Sequence, residues 1–256
     1  MAKLTVTSLQ QMKRDGQKIM AAVCYDFQLS RILDRAGVPL ISAGDSVGYT
    51  NLGQLTRYGT TMDEMVLVSR AVARGAETAV VNADLPFGPV QAGYKEAVRA
   101  AIRLIQEGEA QMVKLDNAAA NMDAVNAIVN AGIPLWPQFG FSPQSSMAIG
   151  EFTARTEDML ARRREQILRE AQELEAAGAS LLDLTGVTHD LYGEVARTVK
   201  IPVLGGQAGA EADGRIFTGF QVRASGIDQE RTPMNIGGFI YDAVRTTLDN
   251  VKAAKF

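Results

Sequence analysis

Two aspartates occupy matching places in the chain, each just beyond a short apolar run. Asp45 follows the run 38–41 and Asp84 follows the run 78–81, and glycine or proline lies within the next few residues of both. A short apolar run bounded by turn residues is typical of a buried strand in a parallel sheet. Two carboxylates at equivalent ends of such strands suit a hard divalent cation with oxygen ligands, and Mg2+ is the usual one. The alternative for either aspartate alone is a helix N-cap or an acid in a loop.

Further polar side chains stand at the ends of other apolar runs. Because side chains alternate along a strand, Lys114 and Asp116 share one face of their strand, and Asp183 and Thr185 share one face of theirs. Polar groups gathered at one rim are costly to bury unless they pair with each other, with a metal or with a ligand. A salt-bridge network around Lys114 would explain part of the pattern, whereas a metal-bound anionic substrate explains more of it. The whole set of strand-end side chains is Asp26, Asp45, Asp84, Lys114, Asp116, Gln138, Asp183 and Thr185.

The elements that must position these side chains alternate regularly between strand and helix. Strict alternation indicates a parallel sheet, and seven or eight such units favour closure into a barrel. We therefore predict one (β/α)8 TIM barrel domain over residues 1–256, with functional residues at the carboxyl ends of its strands. The predicted strands are 18–25, 38–45, 78–84, 111–116, 133–140, 180–186, 201–204 and 215–222. The predicted helices are 8–16, 27–36, 61–76, 94–106, 118–131, 157–177, 190–198 and 237–254.

Composition excludes several classes of function. The formal net charge of −3 gives no basic footprint, so we expect no nucleic-acid partner. The single cysteine, Cys24, excludes an internal disulfide and fits a reducing compartment. No stretch approaches the roughly 20 apolar residues that a membrane span needs, and the start of the sequence lacks the apolar core of a signal peptide. We therefore expect a cytoplasmic protein without a membrane partner.

Histidine and cysteine chemistry has little support in this sequence. His189 is the only histidine, and it follows the predicted strand 180–186 in a loop that should open at the site. It either contacts ligand there or is a solvated surface residue. Cys24 lies within an apolar run and is predicted to be a packed core thiol rather than a nucleophile. One histidine and one cysteine are too few for a typical zinc hydrolase or Cys–His site.

Five short motifs give the chain a resemblance to a known family. In order and spacing they are similar to motifs of the ketopantoate hydroxymethyltransferase family, and the similarity extends over about residues 8–217. Any one motif alone is weakly specific, whereas five in register are quite specific. The motifs are GDSVG at 44–48, ADLPF at 83–87, MVKLD at 112–116, FGFSPQS at 139–145 and IPVLG at 201–205.

The resemblance implies a (β/α)8 barrel of the phosphoenolpyruvate mutase-like type, with Mg2+ held through Asp45 and Asp84. It further implies a small 2-oxo acid that chelates the metal, whose carboxylate is held near Ser46 and Lys114 with Asp116 beside it. The metal polarises the 2-oxo group so that a C3 proton can be removed, and the enolate attacks a one-carbon unit from methylenetetrahydrofolate. The ring-like decamers of the family imply a homo-oligomer.

Several positions depart from the pattern of the family. Thr185 stands where the family has its catalytic glutamate, Gln138 replaces a histidine, and Asp116 replaces a glutamate. The loop sequences at 150–156 and 205–209 are also changed. Metal and carboxylate recognition are therefore predicted to be retained, while the base and the donor side of the pocket are predicted to be rebuilt.

The resemblance leaves the identity of the base open. Asp183 is the candidate replacement, because it lies two residues before Thr185 on the same face, where burial would raise its pKa. The alternative for Asp183 is a structural acid paired with Lys114 or an arginine, and His189 is the second candidate base. The predicted function is Mg2+-dependent enolate chemistry on a 2-oxo acid, resembling hydroxymethyl transfer to 2-oxoisovalerate. The alternatives are a 2-oxo acid C–C lyase or decarboxylase, and a non-catalytic paralogue that binds metal and oxo acid.

Overall fold

The strands form a parallel sheet that closes on itself. A computed structural model describes residues 2–145, 157–218 and 236–252. The strands are β1 (Ile19–Cys24), β2 (Leu40–Ala43), β3 (Val80–Asp84), β4 (Met112–Leu115), β5 (Leu135–Gly140), β6 (Leu182–Thr185), β7 (Val203–Leu204) and β8 (Gly214–Phe217). The sheet order is β7-β6-β5-β4-β3-β2-β1-β8, with every neighbouring pair parallel. Main-chain hydrogen bonds from Asp213 N to Val203 O and from Ile216 N to Gly205 O, both 3.1 Å, link β7 to β8 and close the barrel.

Helices separate the strands from β1 to β7, with two helices between β2 and β3, while a loop without a helix joins β7 to β8. The predicted barrel is confirmed. Short 3-10 turns lie at Ala118–Ala120 and at Pro143–Ser145. Among the described helices, none is long and apolar enough to cross a membrane. The helices are α1 (Val6–Arg14), α2 (Phe27–Arg35), α3 (Val47–Thr50), α4 (Met62–Gly75), α5 (Tyr94–Gln106), α6 (Met122–Asn130), α7 (Glu157–Ala176), α8 (His189–Thr198) and α9 (Ile236–Lys252).

Local signals fix several helix ends as predicted. Thr61 caps α4 and forms a capping box with Glu64. The Glu64 N–H donates to the Thr61 hydroxyl at 3.3 Å, and the Thr61 N–H donates to the Glu64 carboxylate at 2.7 Å. Gly37 follows α2 with a φ of +84°, a left-handed conformation that favours glycine after a helix end.

The first helix begins earlier than predicted. Its N-cap is Thr5 rather than Ser8. The Thr5 hydroxyl accepts a hydrogen bond from the Ser8 N–H (3.2 Å), and the Ser8 hydroxyl accepts one from the Thr5 N–H (3.1 Å). Serine and threonine both cap helices well, so the predicted helix 8–16 was given Ser8 as its cap instead of Thr5.

Most of the other elements are shorter than predicted by a few residues, and two of these differences have a clear local cause. The helix predicted over 118–131 is divided, because Asn121 adopts a non-helical backbone (φ −130°, ψ 46°) between the 3-10 turn and α6. The strand predicted over 133–140 begins at Leu135, after Pro134, which has no N–H to donate to the sheet. Parts of other predictions, at 150–156, 219–222 and 253–254, lie outside the described residues.

The core fills the barrel and the space between the sheet and its helices. Trp136, Phe139 and Tyr192 are among its largest fully buried side chains. Cys24 is also fully buried, and burial raises the pKa of its thiol to about 12. The prediction that Cys24 is a packed core thiol is confirmed.

Asp34 ties α2 to the chain that enters β3. Its Oδ1 accepts hydrogen bonds from the Thr78 N–H (2.9 Å), the Thr78 hydroxyl (2.9 Å) and the Ala79 N–H (2.7 Å). Burial acts to raise the pKa of Asp34, but these hydrogen bonds outweigh it and the pKa lies below its ordinary value. The ionised form of Asp34 therefore stabilises the fold.

We predict that Asp34→Asn lowers the free energy of unfolding by about 1–3 kcal/mol near neutral pH, because an amide replaces a charged acceptor of three hydrogen bonds. Since the folded pKa is depressed, this contribution is complete above the unfolded pKa of about 3.9 and is lost as the pH falls through the folded pKa. Urea unfolding at a series of pH values should show the two proteins converging at the acid end. Asp15→Asn, on the exposed end of α1, is the control and should change little. A gap that stays constant into the acid range would contradict this account.

Candidate active site

The carboxyl ends of the strands surround a cavity of about 250 Å³. The predicted site residues that line it lie on or just beyond β2 to β6, which is where functional groups of such barrels are found. These residues are Asp45, Ser46, Asp84, Lys114, Asp116, Gln138, Asp183 and Thr185.

Asp84 is fixed at the end of β3 by neighbouring polar side chains. Its Oδ1 accepts hydrogen bonds from the Ser42 hydroxyl (3.1 Å) and from the Asn82 amide (2.9 Å), which also donates to Ser42 at 2.7 Å. All three residues are buried. This arrangement leaves Oδ2 of Asp84 directed toward Lys114, at 3.7 Å from its Nζ.

Asp45 lies just beyond β2, and the negative charge of Asp84 affects its pKa. Burial, and then the charge of Asp84, raise the pKa of Asp45 to about 7, against a hydrogen bond donated by Gln144. That bond joins Gln144 Nε2 to Asp45 Oδ2 at 2.9 Å. The two aspartates therefore lie close enough for their charges to repel, and a cation between them would relieve the repulsion.

The donor set can be tested against a divalent metal ion. The described residues contain no group of three His, Cys, Asp or Glu side chains that could hold a metal by themselves. Mg2+ commonly uses one or two carboxylates and takes its other ligands from substrate and water. Among the described lining residues, four carboxylates stand against the two cations Lys114 and Arg57. With all four carboxylates ionised, the excess of negative charge equals the charge of one divalent cation. Asp45 and Asp84 therefore fit such an ion, whose binding would favour their ionised forms.

Lys114 is the buried cation of the site. Its Nζ lies 3.0 Å from Asp183 Oδ2, and it also lies 5.3 Å from the centre of the Trp136 ring. Burial acts to lower the pKa of Lys114, but the charges of Asp84 and Asp183 outweigh it, so the pKa is raised and the ammonium stays charged. The structure thus contains the salt-bridge network around Lys114, and the network forms one wall of the cavity.

Asp183 lines the cavity and also forms an ion pair with Lys114. Its Oδ2 faces Lys114, and its Oδ1 accepts a hydrogen bond from the Thr185 hydroxyl at 3.2 Å. Thr185 in turn accepts a hydrogen bond from the Gln138 amide at 2.8 Å. Burial raises the pKa of Asp183, against the nearby charge of Lys114. The pairing alternative for Asp183 is therefore present in the geometry, together with the raised pKa that a base requires.

Asp116 has one oxygen that is satisfied and one that is not. Its Oδ2 accepts a hydrogen bond from the Gln144 N–H at 2.9 Å, whereas no described residue donates to its buried Oδ1. Burial raises the pKa of Asp116 to about 6, against hydrogen bonds from Ser142 and Gln144. Ser46, on the other side of the cavity, shares a 2.6 Å hydrogen bond with the Tyr25 hydroxyl.

Two of the residues singled out in the sequence lie away from the cavity. His189 is the first residue of α8, and its side chain is exposed beside Gly209. It does not line the cavity, so this position gives no support to a role as base. Asp26 is the N-cap of α2, where its carboxylate accepts a hydrogen bond from the Leu29 N–H at 2.9 Å. Asp26 therefore caps a helix and does not line the cavity.

Several residues at the cavity were missed in the sequence, and three of them make contacts that bear on the site. Gln144 is buried and contacts two of the aspartates, and its only signal was its place in the FSPQS motif. Tyr49 and Arg57 lie at the cavity edge, where the Arg57 guanidinium lies 5.3 Å from the centre of the Tyr49 ring. The segment 49–57 that carries them has no apolar periodicity, so it could not be predicted from the end of a strand.

The fold belongs to a known class of barrels. The structure of phosphonopyruvate hydrolase in complex with oxalate and Mg2+ matches with a TM-score of 0.68 at 13% identity, over 96% of this chain and 88% of that one. The structure of 2,3-dimethylmalate lyase, a phosphoenolpyruvate mutase/isocitrate lyase superfamily member, matches with a TM-score of 0.64 at 16% identity, over 99% of this chain and 89% of that one. The chain therefore has the barrel fold of this superfamily.

Sequence similarity defines the family within that class. The model of the ketopantoate hydroxymethyltransferase family matches residues 3–256. The 3-methyl-2-oxobutanoate hydroxymethyltransferase of Alkalilimnicola ehrlichii is 36% identical over 99% of this chain and 92% of its own length. That of Chlorobium phaeobacteroides is 35% identical over 99% of this chain and 94% of its own length. The chain belongs to the ketopantoate hydroxymethyltransferase family, which is a family of enzymes.

The charge network around Lys114 gives a stability prediction. Lys114→Met should lower the free energy of unfolding by about 3–5 kcal/mol, because it leaves Asp84 and Asp183 buried without their cation. Adding Asp183→Asn to it should recover part of the loss, since it removes one of the two uncompensated charges. Chemical denaturation of the single and double variants measures both effects.

The control removes an ion pair of the same kind from the surface. Arg74→Met breaks the exposed pair of Arg74 with Glu109, and the free energy of unfolding should change little. Equal losses in the single and the double variant would show that the charge of Asp183 does not depend on Lys114.

Proposed function

We propose that this protein catalyses Mg2+-dependent enolate chemistry on a small 2-oxo acid, resembling hydroxymethyl transfer to 3-methyl-2-oxobutanoate (2-oxoisovalerate). The observation that carries the proposal is one cavity that joins two repelling carboxylates, Asp45 and Asp84, to a buried ammonium, Lys114. The names of the relatives at 35–36% identity support the substrate class. A cavity of about 250 Å³ suits a small acid.

Asp45 and Asp84 would hold the metal ion. The excess of negative charge in the cavity supports this, and so does the structure of phosphonopyruvate hydrolase, which is a complex with oxalate and Mg2+. When bound, the cation supplies Lewis-acid polarisation of the 2-oxo group, which lowers the cost of removing a proton from C3. The hydrogen bonds from Ser42 and Asn82 to Asp84 would keep that carboxylate oriented toward the ion.

Lys114 and Ser46 would bind the substrate carboxylate. A charged ammonium that is held in place by buried partners is already oriented, so little free energy is lost in ordering it when an anion binds. Asp116, on the same strand side as Lys114, would orient the acid through the oxygen that no described residue satisfies. The one-carbon donor proposed from the family is methylenetetrahydrofolate.

Asp183 would take the C3 proton. Its place at the cavity and the raised pKa caused by burial support this role, since the best base has a pKa near the working pH. Thr185 and Gln138 would orient it through their hydrogen bonds. Asp116 is the competing base, because its Oδ1 is unsatisfied among the described residues and its pKa is raised to about 6.

A second candidate reaction is favoured by Thr185. A hydroxyl that donates to Asp183 occupies the position matched to the glutamate of the family. This replacement supports a different enolate reaction on a 2-oxo acid, such as C–C cleavage or decarboxylation. Product analysis with 2-oxo acids, with and without methylenetetrahydrofolate, separates the two reactions.

Exchange of the C3 proton tests the shared step of both reactions. Proton NMR of 2-oxoisovalerate and other 2-oxo acids in deuterated buffer should show exchange that requires Mg2+. Asp183→Asn should slow the exchange by about 100-fold or more, which is the usual contribution of a general base. Asp190→Asn, on the exposed first turn of α8, is the control and should exchange at the wild-type rate.

The outcomes separate the metal from the base. Exchange that is lost in Asp84→Asn but kept in Asp183→Asn would retain the metal site and move the base to Asp116, which Asp116→Asn then tests. Absence of exchange with every acid, despite measurable Mg2+ binding, would refute the enolate proposal and favour a non-catalytic paralogue.

A further inference from the structure

The buried side-chain amide of Gln144 lies beside Asp45, and no described residue donates a hydrogen bond to its oxygen. Gln144 lies in the 3-10 turn after β5, at 6% exposure, and it lines the cavity. Its Oε1 is almost fully buried and receives no hydrogen bond from the described residues. Buried polar atoms in native proteins nearly always have partners, so an exception calls for an explanation.

The orientation of the Gln144 amide follows from its neighbours. Its Nε2 lies 2.9 Å from Asp45 Oδ2 and 3.1 Å from the Leu85 carbonyl oxygen. Both of these atoms accept hydrogen bonds, so only the amide nitrogen can face them. The oxygen of the amide is thereby held on the other side of the group.

Among the described residues, the groups that surround this oxygen supply no donor. The main-chain N–H of Gln144 is used by Asp116 Oδ2 at 2.9 Å, and Asp116 Oδ1 is a second buried acceptor that no described residue satisfies. Two acceptors cannot satisfy each other. A ligand bound in the cavity that Gln144 lines is one source of the missing donor.

We propose that Gln144 is a positioning residue with two functions. Its amide nitrogen fixes the Asp45 carboxylate, and its amide oxygen accepts a hydrogen bond from a hydroxyl donor bound in the cavity. The inference rests on the proposed metal site at Asp45 and Asp84. The donor is either a water molecule bound to the cation or the hydroxyl group of a hydroxymethylated acid.

Substitution of the side chain leaves the local backbone contacts in place. The hydrogen bond from the Gln144 N–H to Asp116 does not depend on the side chain, so Gln144→Met removes only the amide contacts. Gln11→Met is the matched control. It removes an amide that donates to Asp15 at 2.7 Å, on α1, away from the cavity.

Calorimetric titration with Mg2+ alone is the first measurement. If a metal-bound water is the donor, Gln144→Met should weaken Mg2+ binding by about tenfold, as for other partners that orient a metal ligand. Gln11→Met should bind Mg2+ like the wild type. The second measurement titrates the Mg2+-loaded protein with 2-oxoisovalerate and with its hydroxymethylated product. If the product hydroxyl is the donor, Gln144→Met should bind Mg2+ normally but lose the preference of the wild type for the hydroxylated acid.

A second variant protects the test against misfolding. Gln144→Glu keeps the size and one oxygen but sets a second carboxylate against Asp45 and the Leu85 carbonyl oxygen. Added Mg2+ should therefore raise its melting temperature by more than that of the wild type, and Gln11→Glu should show no such gain. Wild-type values for both Gln144 variants in all three measurements would overturn the inference alone. If the wild type itself does not bind Mg2+, the proposed function fails, and this inference fails with it.

Discussion

One buried ammonium links the carboxyl ends of three strands. Lys114 on β4 lies 3.0 Å from Asp183 on β6 and 3.7 Å from Asp84 on β3. Each of these charges would be strongly unfavourable in the barrel without the others, so the three are tolerated only together. Their contact requires the parallel order and register of β3, β4, β5 and β6, since a shift of one residue would turn a side chain to the other face. The site and the barrel therefore stabilise each other.

The positive charge of Lys114 does not compensate all the negative charges in the cavity. Lys114 serves Asp183 and Asp84, whereas Asp45 accepts its hydrogen bond from the neutral amide of Gln144 and feels the charge of Asp84. Lys114 therefore compensates the charge of Asp183 directly, at 3.0 Å, whereas among these contacts Asp45 is held by a neutral group. Protein groups that stay uncompensated in a low-dielectric site favour binding of the opposite charge. This asymmetry separates a region suited to a cation from a region where a base can lie beside an ammonium.

The positions of the site residues could be predicted because a buried parallel strand has a distinctive sequence. Asp45 and Asp84 both follow short apolar runs, and the closed barrel brings such ends together. Asp26 satisfies the same rule but caps α2, since a capping acid and a site acid look alike locally. Contacts made by loops leave no periodic signal. Gln144 reaches Asp45 across 99 positions of the chain, and the outward side chain of His189 depends on how α8 packs.

Thr185 stands where the family has a glutamate, and its hydroxyl lies between Asp183 and Gln138. A hydroxyl has one donor position and two acceptor positions, and the Thr185 hydroxyl donates to Asp183 and accepts from Gln138. Among the described residues, one acceptor position on this hydroxyl is still open. In the proposed reaction, a proton can reach Asp183 directly or by way of that hydroxyl. The single glutamate of the family would then be replaced by two shorter side chains. These are the hydroxyl of Thr185 and, one layer deeper, the carboxylate of Asp183. The deeper acid needs its own counter-charge, and Lys114 supplies it at 3.0 Å.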